Sequence, residues 1–361
     1  MIIESIELKN FRNYRELNLQ FDKKTNILYG DNAQGKTNIL EAVYLSGTTK
    51  SHKGSKDRDM IYFGEEEAHL RTFIKKGEID YKIDIHLKKN KTKGIAVNGV
   101  PIRRASELFG IANFVFFSPE DLGIIKQGPA ERRRFLDMEL CQLDKVYLHN
   151  LVNYNKIVVQ RNKLLKDLAF RSDLSETLDI WDLQLAEYGK KVIQGREIFV
   201  EQLNQIIREI HSHLSGKKEN LKIFYEKNCS KEELYKTIQR NRERDLRMKT
   251  SSTGPHRDDL LFLVDDIDIR KFGSQGQQRT AALSLKLSEI ELVKKIIHDT
   301  PVLLLDDVLS ELDQNRQNYL LNSIHDIQTM ITCTGLDEFI NHRFSINKIF
   351  RVIEGTVKNE N

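Results

Sequence analysis

One short motif restricts the possible folds of this chain more than any other feature. Its pattern is G-x-x-x-x-G-K-[ST], in which glycines let backbone N–H groups curl around phosphate oxygens. The letters "NIL" before it predict a strand, and "TNILEAVYL" after it predict a helix whose positive end faces the phosphates. We expect Lys36 to neutralise the β- and γ-phosphates of ATP and Thr37 to help hold Mg²⁺. The motif comprises Gly30, Asp31, Asn32, Ala33, Gln34, Gly35, Lys36 and Thr37.

A second motif supplies the carboxylates that hydrolysis of ATP requires. The segment "VLLLDD" (302–307) is a continuous apolar run followed by two aspartates. Such a run is typical of a buried parallel strand, and open α/β sheets bind ligands where those strands end. Neighbouring strand residues face opposite ways, so the two aspartates should have different tasks. We assign Asp306 to the Mg²⁺ shell and Asp307, with Lys36, to catalysis, Asp307 acting on the attacking water.

A third motif, "FGSQGQQR" (272–279), predicts another set of anion donors at the start of a helix. One ATP rarely needs two such sets from one chain. We therefore expect Ser274, Gly276 and Gln277 of one protomer to close over the γ-phosphate held by another. This hypothesis predicts an ATP-dependent homodimer with two nucleotides at its shared interface.

The order of predicted elements indicates an α/β fold with an insertion. The first 120 residues are rich in alternating apolar patterns, and Asn98-Gly99 predicts a tight hairpin turn. From Pro129 to about residue 247 apolar residues recur at helical spacing, broken near "LSGKKEN" and by a short strand "LKIFYE". Near residue 250 strands return, around one clear helix, 275–297. We predict one domain formed by 1–120 and 248–361, and a mainly helical inserted domain, 121–247.

Two apolar stripes within the helical segment are typical of core packing rather than of a cofactor site. The first is Leu151, Tyr154, Val158, Leu165 and Leu168, and the second is Trp181, Leu185, Tyr188 and Val192.

The charge of the chain is mild, but its distribution is uneven. The 57 basic and 53 acidic residues give a net charge of +4, too little to indicate a nucleic-acid partner. Three basic clusters, 86–104, 132–134 and 231–249, together indicate a surface for phosphates. The candidate DNA contacts are Arg132, Arg133 and Arg134, or Lys88, Lys89, Lys91 and Lys93.

Nothing in the sequence predicts a membrane segment, a disulfide or a zinc site. No apolar run approaches the ~18 residues of a membrane span, and "MIIESIELKNF" lacks the basic lead of a signal peptide. We therefore expect a cytoplasmic protein. The three cysteines are far apart, which predicts reduced thiols, and His211 and His213 have no third ligand in sight.

These motifs, in this order, resemble the ATP-binding-cassette (ABC) ATPases, in particular their SMC-like branch and within it the RecF family of bacterial recombination mediators. The resemblance runs from "LKNFRNY" (8–14) through "FFSPEDLGIIKQGPAERRRFLD" and "TGPHRDDL" to "LLLDDVLSELD", which ends at residue 313. It implies an ABC-type P-loop ATPase head with an inserted mainly helical domain. It also implies that Arg12 and Asn13 lie near the adenine and α-phosphate, that 274–277 is the signature motif, and that 310–313 is the D-loop coupling two sites.

Three positions depart from the pattern of many cassette ATPases. Asp307 stands where a glutamate is usual and is one methylene shorter, which predicts slow turnover. Glu120 takes the place of the usual glutamine near "FFSPED", and Thr334 stands where a histidine is expected.

The resemblance implies a weak DNA-dependent ATPase for recombinational repair and replication-gap processing. In this hypothesis the ATP-driven dimer binds single-stranded DNA and single-strand/double-strand junctions, assists recombinase loading and SOS induction, and is reset by hydrolysis. RecR is the implied direct partner, with RecO in the same pathway, and the implied location is the nucleoid. The segment "TGPHRDDL" is equally consistent with a structural role, in which Asp258 and Asp259 cap an element or form ion pairs near the sheet.

Three other classes of protein share part of the pattern. A transporter ATPase has the cassette motifs but not the "LKNFRNY" start, and would co-purify with a membrane partner. A chromosome-structuring protein needs hundreds of residues of heptads, whereas the insert has about 130 residues. A small-molecule kinase of the P-loop class leaves "FGSQGQQR" unexplained.

Overall fold

The computed structural model describes residues 1–168, 170, 176–336 and 345–360. The chain divides into two compact units: residues 1–121 with 289–361, and residues 122–288. The first unit is discontinuous in sequence, since it contains both ends of the chain. Residues 248–288, which the sequence pattern assigned to the ATPase half, lie within the second unit. The bounds of the functional domains stay a prediction.

An antiparallel sheet forms one half of the first unit. Its strand order is β2-β1-β4-β5-β6-β7, and alternate residues of β1, β2, β4 and β5 are buried, as amphipathic strands require. The predicted hairpin turn is confirmed, with positive φ at Asn98 (51°) and Gly99 (81°) between β6 and β7. Strand β4 was not among the predicted strands, because the buried polar Thr72 interrupts its apolar alternation. The strands are β1 (Ile2–Phe11), β2 (Tyr14–Gln20), β4 (Glu67–Lys76), β5 (Ile79–Lys88), β6 (Gly94–Val97) and β7 (Val100–Pro101).

A second, mostly parallel sheet in the same unit carries the nucleotide motifs. Its order is β15-β14-β3-β13-β12-β8, parallel except for the β14–β15 hairpin. Positive φ at Glu354 and Gly355 turns the chain between the last two strands, which pair as an antiparallel hairpin. The strands are β3 (Thr25–Tyr29), β8 (Phe114–Phe117), β12 (Val302–Asp306), β13 (Thr329–Cys333), β14 (Lys348–Ile353) and β15 (Thr356–Asn359), with helices α1 (Lys36–Thr48) and α10 (Gln314–Ser323).

The second unit is mainly helical. Leu151, Tyr154 and Leu165 are buried, which confirms the first stripe as core, although Ile157 is buried in place of Val158. Part of the predicted helical segment, residues 169 and 171–175, lies outside the described residues. The helices are α2 (Leu122–Lys126), α3 (Pro129–Leu143), α4 (Lys145–Asp167), α5 (Thr177–Leu214), α6 (Leu234–Arg240), α7 (Arg242–Met248) and α8 (Ile269–Phe272), with a sheet of β9 (Leu221–Glu226), β10 (Asp259–Val264) and β11 (Ile267–Asp268).

Helix α9 (Gln275–Ile297) has the predicted bounds, and the boundary between the units falls within it, at residue 288. Across the described ranges, no helix combines the length and apolar character needed to span a bilayer.

Candidate functional site

The phosphate loop lies between β3 and α1, as the motif predicted. Gly30 has φ +149°, and a Cβ there would lie 2.3 Å from the carbonyl oxygen of Val352. Gly35 has φ +110°, and a Cβ there would lie 2.4 Å from Nδ2 of Asn13. At both positions the backbone has a positive φ and neighbouring atoms lie close, so only glycine fits at these two positions.

The hydroxyl of Thr37 and the carboxylate of Asp306 meet at the end of β12. Thr37 Oγ1 donates to Asp306 Oδ1 at 2.8 Å, and Thr332 Oγ1 donates to the same oxygen at 2.7 Å. Burial raises the pKa of Asp306, and these two hydrogen bonds oppose that rise. Hydroxyl and carboxylate oxygens are the hard ligands that Mg²⁺ prefers. The donor set therefore fits the predicted metal ligands, Thr37 and Asp306.

Lys36 holds its ammonium against the loop itself. The buried Nζ donates to the carbonyl oxygens of Gly30 (2.5 Å) and Asp31 (2.9 Å). Burial lowers the pKa of Lys36, and the nearby carboxylates of Asp307 and Asp306 act in the opposite direction. The hydrogen-bond acceptors of the Lys36 ammonium are thus uncharged carbonyls, with the two carboxylates nearby, and this leaves the ammonium suited to interact with phosphate oxygens.

A cavity of about 370 Å³ adjoins the loop. It is lined by residues 32–38, Asp306 and Asp307, together with Glu120 and Lys53. Desolvation alone would raise the pKa of Glu120, but hydrogen bonds from its own backbone and Ser118, with the charge of Lys53, hold it below its usual value. The position predicted to replace the usual glutamine thus reaches the cavity. Sequence reasoning missed Lys53, although it lies in "TTKSHK", directly after α1.

Asp307 lies at the junction of this cavity and a smaller one of about 220 Å³. Its φ is +53°, and its backbone N–H donates to Thr332 Oγ1 at 2.9 Å. Ser310 Oγ donates to the carbonyl of Asp307 at 2.8 Å, and both Ser310 and Thr334 line the smaller cavity. Asp307, Ser310 and Thr334, which were predicted from separate motifs, therefore line the same cavity. Thr332 was not identified from the sequence.

Asn13 contacts the phosphate loop, whereas Arg12 is bound elsewhere. Asn13 Nδ2 donates to the carbonyl of Gln34 at 3.0 Å. Arg12 makes two hydrogen bonds to the buried carboxylate of Glu41, at 2.7 and 2.8 Å. Desolvation would raise the pKa of Glu41, but bonds from Arg12 and Ser51 lower it. The nucleotide contacts of Arg12 and Asn13 stay a prediction.

The predicted signature motif belongs to the second unit, where it begins α9. The Ser274 backbone N–H donates to Gln277 Oε1 at 2.9 Å, and the Gln277 N–H donates to Ser274 Oγ at 3.2 Å. This reciprocal pair is a capping box. The amides of Gln275 and Gly276 come before the capped one, and both residues are exposed. An exposed helix start with free leading amides suits an anion.

Several basic residues offered as DNA contacts have structural partners. Arg132 is only 4% exposed and binds the carboxylate of Asp259 with two nitrogens, at 2.5 and 3.1 Å. The prediction that Arg132 contacts DNA is wrong, because a guanidinium buried against a carboxylate does not reach a phosphate backbone. Arg133 donates to the carbonyl of Asp258 at 2.7 Å, and Lys93 pairs with Asp57 at 2.8 Å. Asp258 and Asp259 both pair with arginines, as the structural interpretation of "TGPHRDDL" predicted.

The chain is similar to known proteins over nearly its whole length. A family model described as the RecF/RecN/SMC N terminal domain matches residues 2–356. A protein of Agathobacter rectalis named DNA replication and repair protein RecF is 65% identical over 358 residues, 99% of each chain. This chain belongs to the RecF family. A Clostridium perfringens RecF, 43% identical over 363 residues, covers 99% of this chain and 100% of its own.

Solved structures confirm the predicted fold of this RecF-family chain. The recombination mediator protein RecF-ATP of the RecFOR pathway superposes with a TM-score of 0.93 at 36% identity, covering 99% of this chain and 97% of that one. The Smc head domain of Pyrococcus furiosus superposes with a TM-score of 0.57 at 18% identity, covering 99% and 95%, and shows the fold alone. The fold is that of an ABC-type ATPase head.

Proposed function

We propose that this chain is an ATP-dependent DNA-binding protein of recombinational repair and replication-gap processing. The observation that carries the proposal is the 2.8 Å pairing of Thr37 and Asp306 at the glycine-bracketed loop of a RecF-family chain. Relatives named DNA replication and repair protein RecF, and the RecF-ATP structure of the RecFOR pathway, support it.

The residues of the loop would divide the work of phosphate binding and hydrolysis. Backbone amides of 30–37 and the ammonium of Lys36 would bind the β- and γ-phosphates. Thr37 and Asp306 would hold Mg²⁺, which neutralises charge on the phosphate oxygens when bound. Asp307 would orient the attacking water. Because its carboxylate is one methylene shorter than a glutamate, we expect weak ATPase activity, and the resemblance to the RecF family adds that DNA would stimulate it.

The second anion-binding segment would act on a neighbouring copy. Ser274, Gly276 and Gln277 stand at an exposed helix start, and they would close over the γ-phosphate held by the loop of another protomer. ATP would then join two copies, which bind single-stranded DNA and junction DNA, assist recombinase loading and SOS induction, and separate after hydrolysis. RecR would be the direct partner, with RecO in the same pathway, in the cytoplasm near the nucleoid.

Sizing of the full chain with and without ATP and DNA tests this proposal. We expect a dimer with ATP and Mg²⁺, and DNA binding that weakens as salt rises because phosphate contacts release counterions. Lys36→Ala should lose both effects, whereas Lys23→Ala, an exposed control, should keep them. ATP-dependent DNA binding that persists in Lys36→Ala would contradict the proposal.

A second variant separates dimerisation from nucleotide binding. Ser274→Arg should bind ATP as a monomer, because a long cation at the start of α9 would obstruct the phosphate of another protomer. Gln160→Arg places the same side chain at an exposed position of α4 and serves as the matched control. Normal dimerisation of Ser274→Arg would overturn the shared-interface mechanism.

A further inference from the structure

The antiparallel sheet of the first unit carries a cluster of metal-ligand side chains outside the nucleotide site. His69 on β4 lies directly opposite His86 on β5 in the strand register. Glu67 precedes His69 by two residues and so stands on the same face of β4. One ligand atom from each of the three lies within 4.8 Å of the other two.

The three side chains converge more closely than their backbone positions require. Glu67 Oε2 lies 2.9 Å from His86 Nε2, and Glu67 Oε1 lies 3.6 Å from His69 Nε2. The imidazole rings are stacked, with centroids 3.9 Å apart and planes inclined by 24°. Both Nε2 atoms therefore approach one carboxylate.

The neighbouring cross-strand pairs show that this arrangement differs from the rest of the face. Arg71 lies opposite Asp84 in the register, and the two form an ion pair of 2.6 Å. Glu67 itself lies opposite Lys88, yet its carboxylate contacts the two imidazoles. Opposite charges stabilise a cross-strand pair such as Arg71 and Asp84, whereas no such charge attraction acts between His69 and His86.

We propose that Glu67, His69 and His86 form a site for a zinc-class divalent cation. Two imidazoles and one carboxylate are the ligand set of many three-ligand zinc sites, and the fourth position is left to solvent. With zinc bonds of about 2.0–2.2 Å, tetrahedral ligand atoms lie about 3.3–3.6 Å apart, so the contact of 3.6 Å already fits and the contact of 2.9 Å is shorter. Glu67 and His69 are exposed and His86 is partly exposed, so side-chain rotation can bring the ligand atoms to that separation.

The surroundings leave room for a ligand at the open position. His69 and His86 line a groove of about 770 Å³ on this sheet, which also includes Glu7, Lys9 and Arg71. A bound ion would cross-link β4 and β5 at the surface. It would act independently of the phosphate loop, so the inference stands whether or not the proposed function is correct.

Zinc titration of the chelator-treated full chain, without nucleotide and against a chromophoric competitor, tests the inference. We expect one equivalent of Zn²⁺ whose affinity falls at least tenfold in His69→Ala and in His86→Ala, since loss of a supporting partner alone costs 10- to 100-fold. His213→Ala removes an exposed histidine of α5 and should leave that equivalent unchanged. Equal zinc binding by wild type and the two cluster variants would mean that the cluster is only a surface hydrogen-bonded group, and would overturn the proposal.

X-ray absorption at the zinc edge supplies a second measurement that does not depend on variants. The site predicts only nitrogen and oxygen neighbours, at about 2.0–2.2 Å. A sulfur neighbour at about 2.3 Å would place the ion on a cysteine and would also overturn the proposal.

Discussion

The phosphate-loop region of the first unit and the buried ion network of the second use charged residues in opposite ways. In the second unit, Arg161 is fully buried and pairs with the carboxylates of Asp182 (2.6 Å) and Asp245 (2.7 Å). In the first, the buried Lys36 bonds only to neutral carbonyls and adjoins a cavity. Charges paired with opposite charges hold a fold together, whereas a cation whose hydrogen-bond acceptors are uncharged stays able to bind a ligand. The comparison predicts that stability and nucleotide binding respond to different substitutions.

The largest effect should come from breaking the buried network. Arg161→Met removes the cation that Asp182 and Asp245 share. Asp182 keeps its ion pair with Arg242, whereas the buried Asp245 loses its cation, and loss of such a buried partner typically costs about 3–5 kcal/mol of unfolding free energy. Urea unfolding followed by the fluorescence of Trp181, the single tryptophan, reports on this unit. Trp181 is suited to the task because it packs against Leu164, Leu165 and Leu178.

The matched control is an arginine with an exposed partner. Arg134 is 40% exposed and lies 3.8 Å from Glu131, so Arg134→Met should cost at most about 1 kcal/mol. If both variants unfold at the same urea concentration, the buried network does not stabilise the second unit.

The next effect depends on pH and concerns His256, also in the second unit. Burial lowers the pKa of His256 from 6.5 to about 4, and its imidazole contacts the hydroxyl of Tyr154 at 2.5 Å and the carbonyl of Ser251 at 3.0 Å. A histidine that protonates more readily when unfolded favours unfolding as pH falls. Stability should therefore be intact above pH 6.5 and decline between 6.5 and about 4, by up to about 3 kcal/mol.

Urea unfolding over this pH range, again by Trp181 fluorescence, measures the effect. His256→Gln should show a shallower decline than wild type, whereas His213→Gln, at an exposed position, should follow wild type. An NMR titration in which His256 protonates near pH 6.5 would contradict the burial argument directly.

The same comparison explains which parts of the molecule were predictable from sequence. The glycine loop, the "VLLLDD" strand and the bounds of α9 follow from local pattern, because glycine spacing and apolar runs determine local structure. The roles of isolated charged residues do not follow from local pattern. The "RRR" pattern predicts Arg132 as a DNA contact, and only the fold shows that it is buried against Asp259, whereas the role of Lys36 comes from its motif. Thr332 and Lys53 join the site through chain crossings that no local pattern contains.

Gly35→Ala tests the loop geometry and should have an intermediate effect. The left-handed backbone would be strained, and the new Cβ would displace Asn13, so we expect a loss of about 2 kcal/mol in the first unit together with loss of ATP binding. Gly64 also has a positive φ, +92°, but has no neighbour within 4 Å of an added Cβ. Gly64→Ala should therefore cost only the backbone strain, about 1 kcal/mol, and keep ATP affinity. Circular dichroism during unfolding measures the stability, and nucleotide titration measures the ATP affinity. If Gly35→Ala and Gly64→Ala bind ATP equally well, ATP binding does not depend on the position of Asn13.

The smallest change in stability should accompany a complete loss of nucleotide binding, in Lys36→Met. The residue Lys36 is 7% exposed, and the two hydrogen bonds of its ammonium to carbonyls offset the cost of removing that charge from water. Methionine has a similar length and no charge, so the lost hydrogen bonds and the avoided desolvation should nearly cancel, within about 1 kcal/mol. Circular dichroism during urea unfolding should thus resemble wild type, while nucleotide titration shows no binding. A marked gain in stability would sharpen the contrast with Arg161, because it would show that the chain retains an unfavourable buried cation for its ligand. A loss as large as that of Arg161→Met would erase the contrast, since Lys36 would then stabilise the loop as Arg161 stabilises its network.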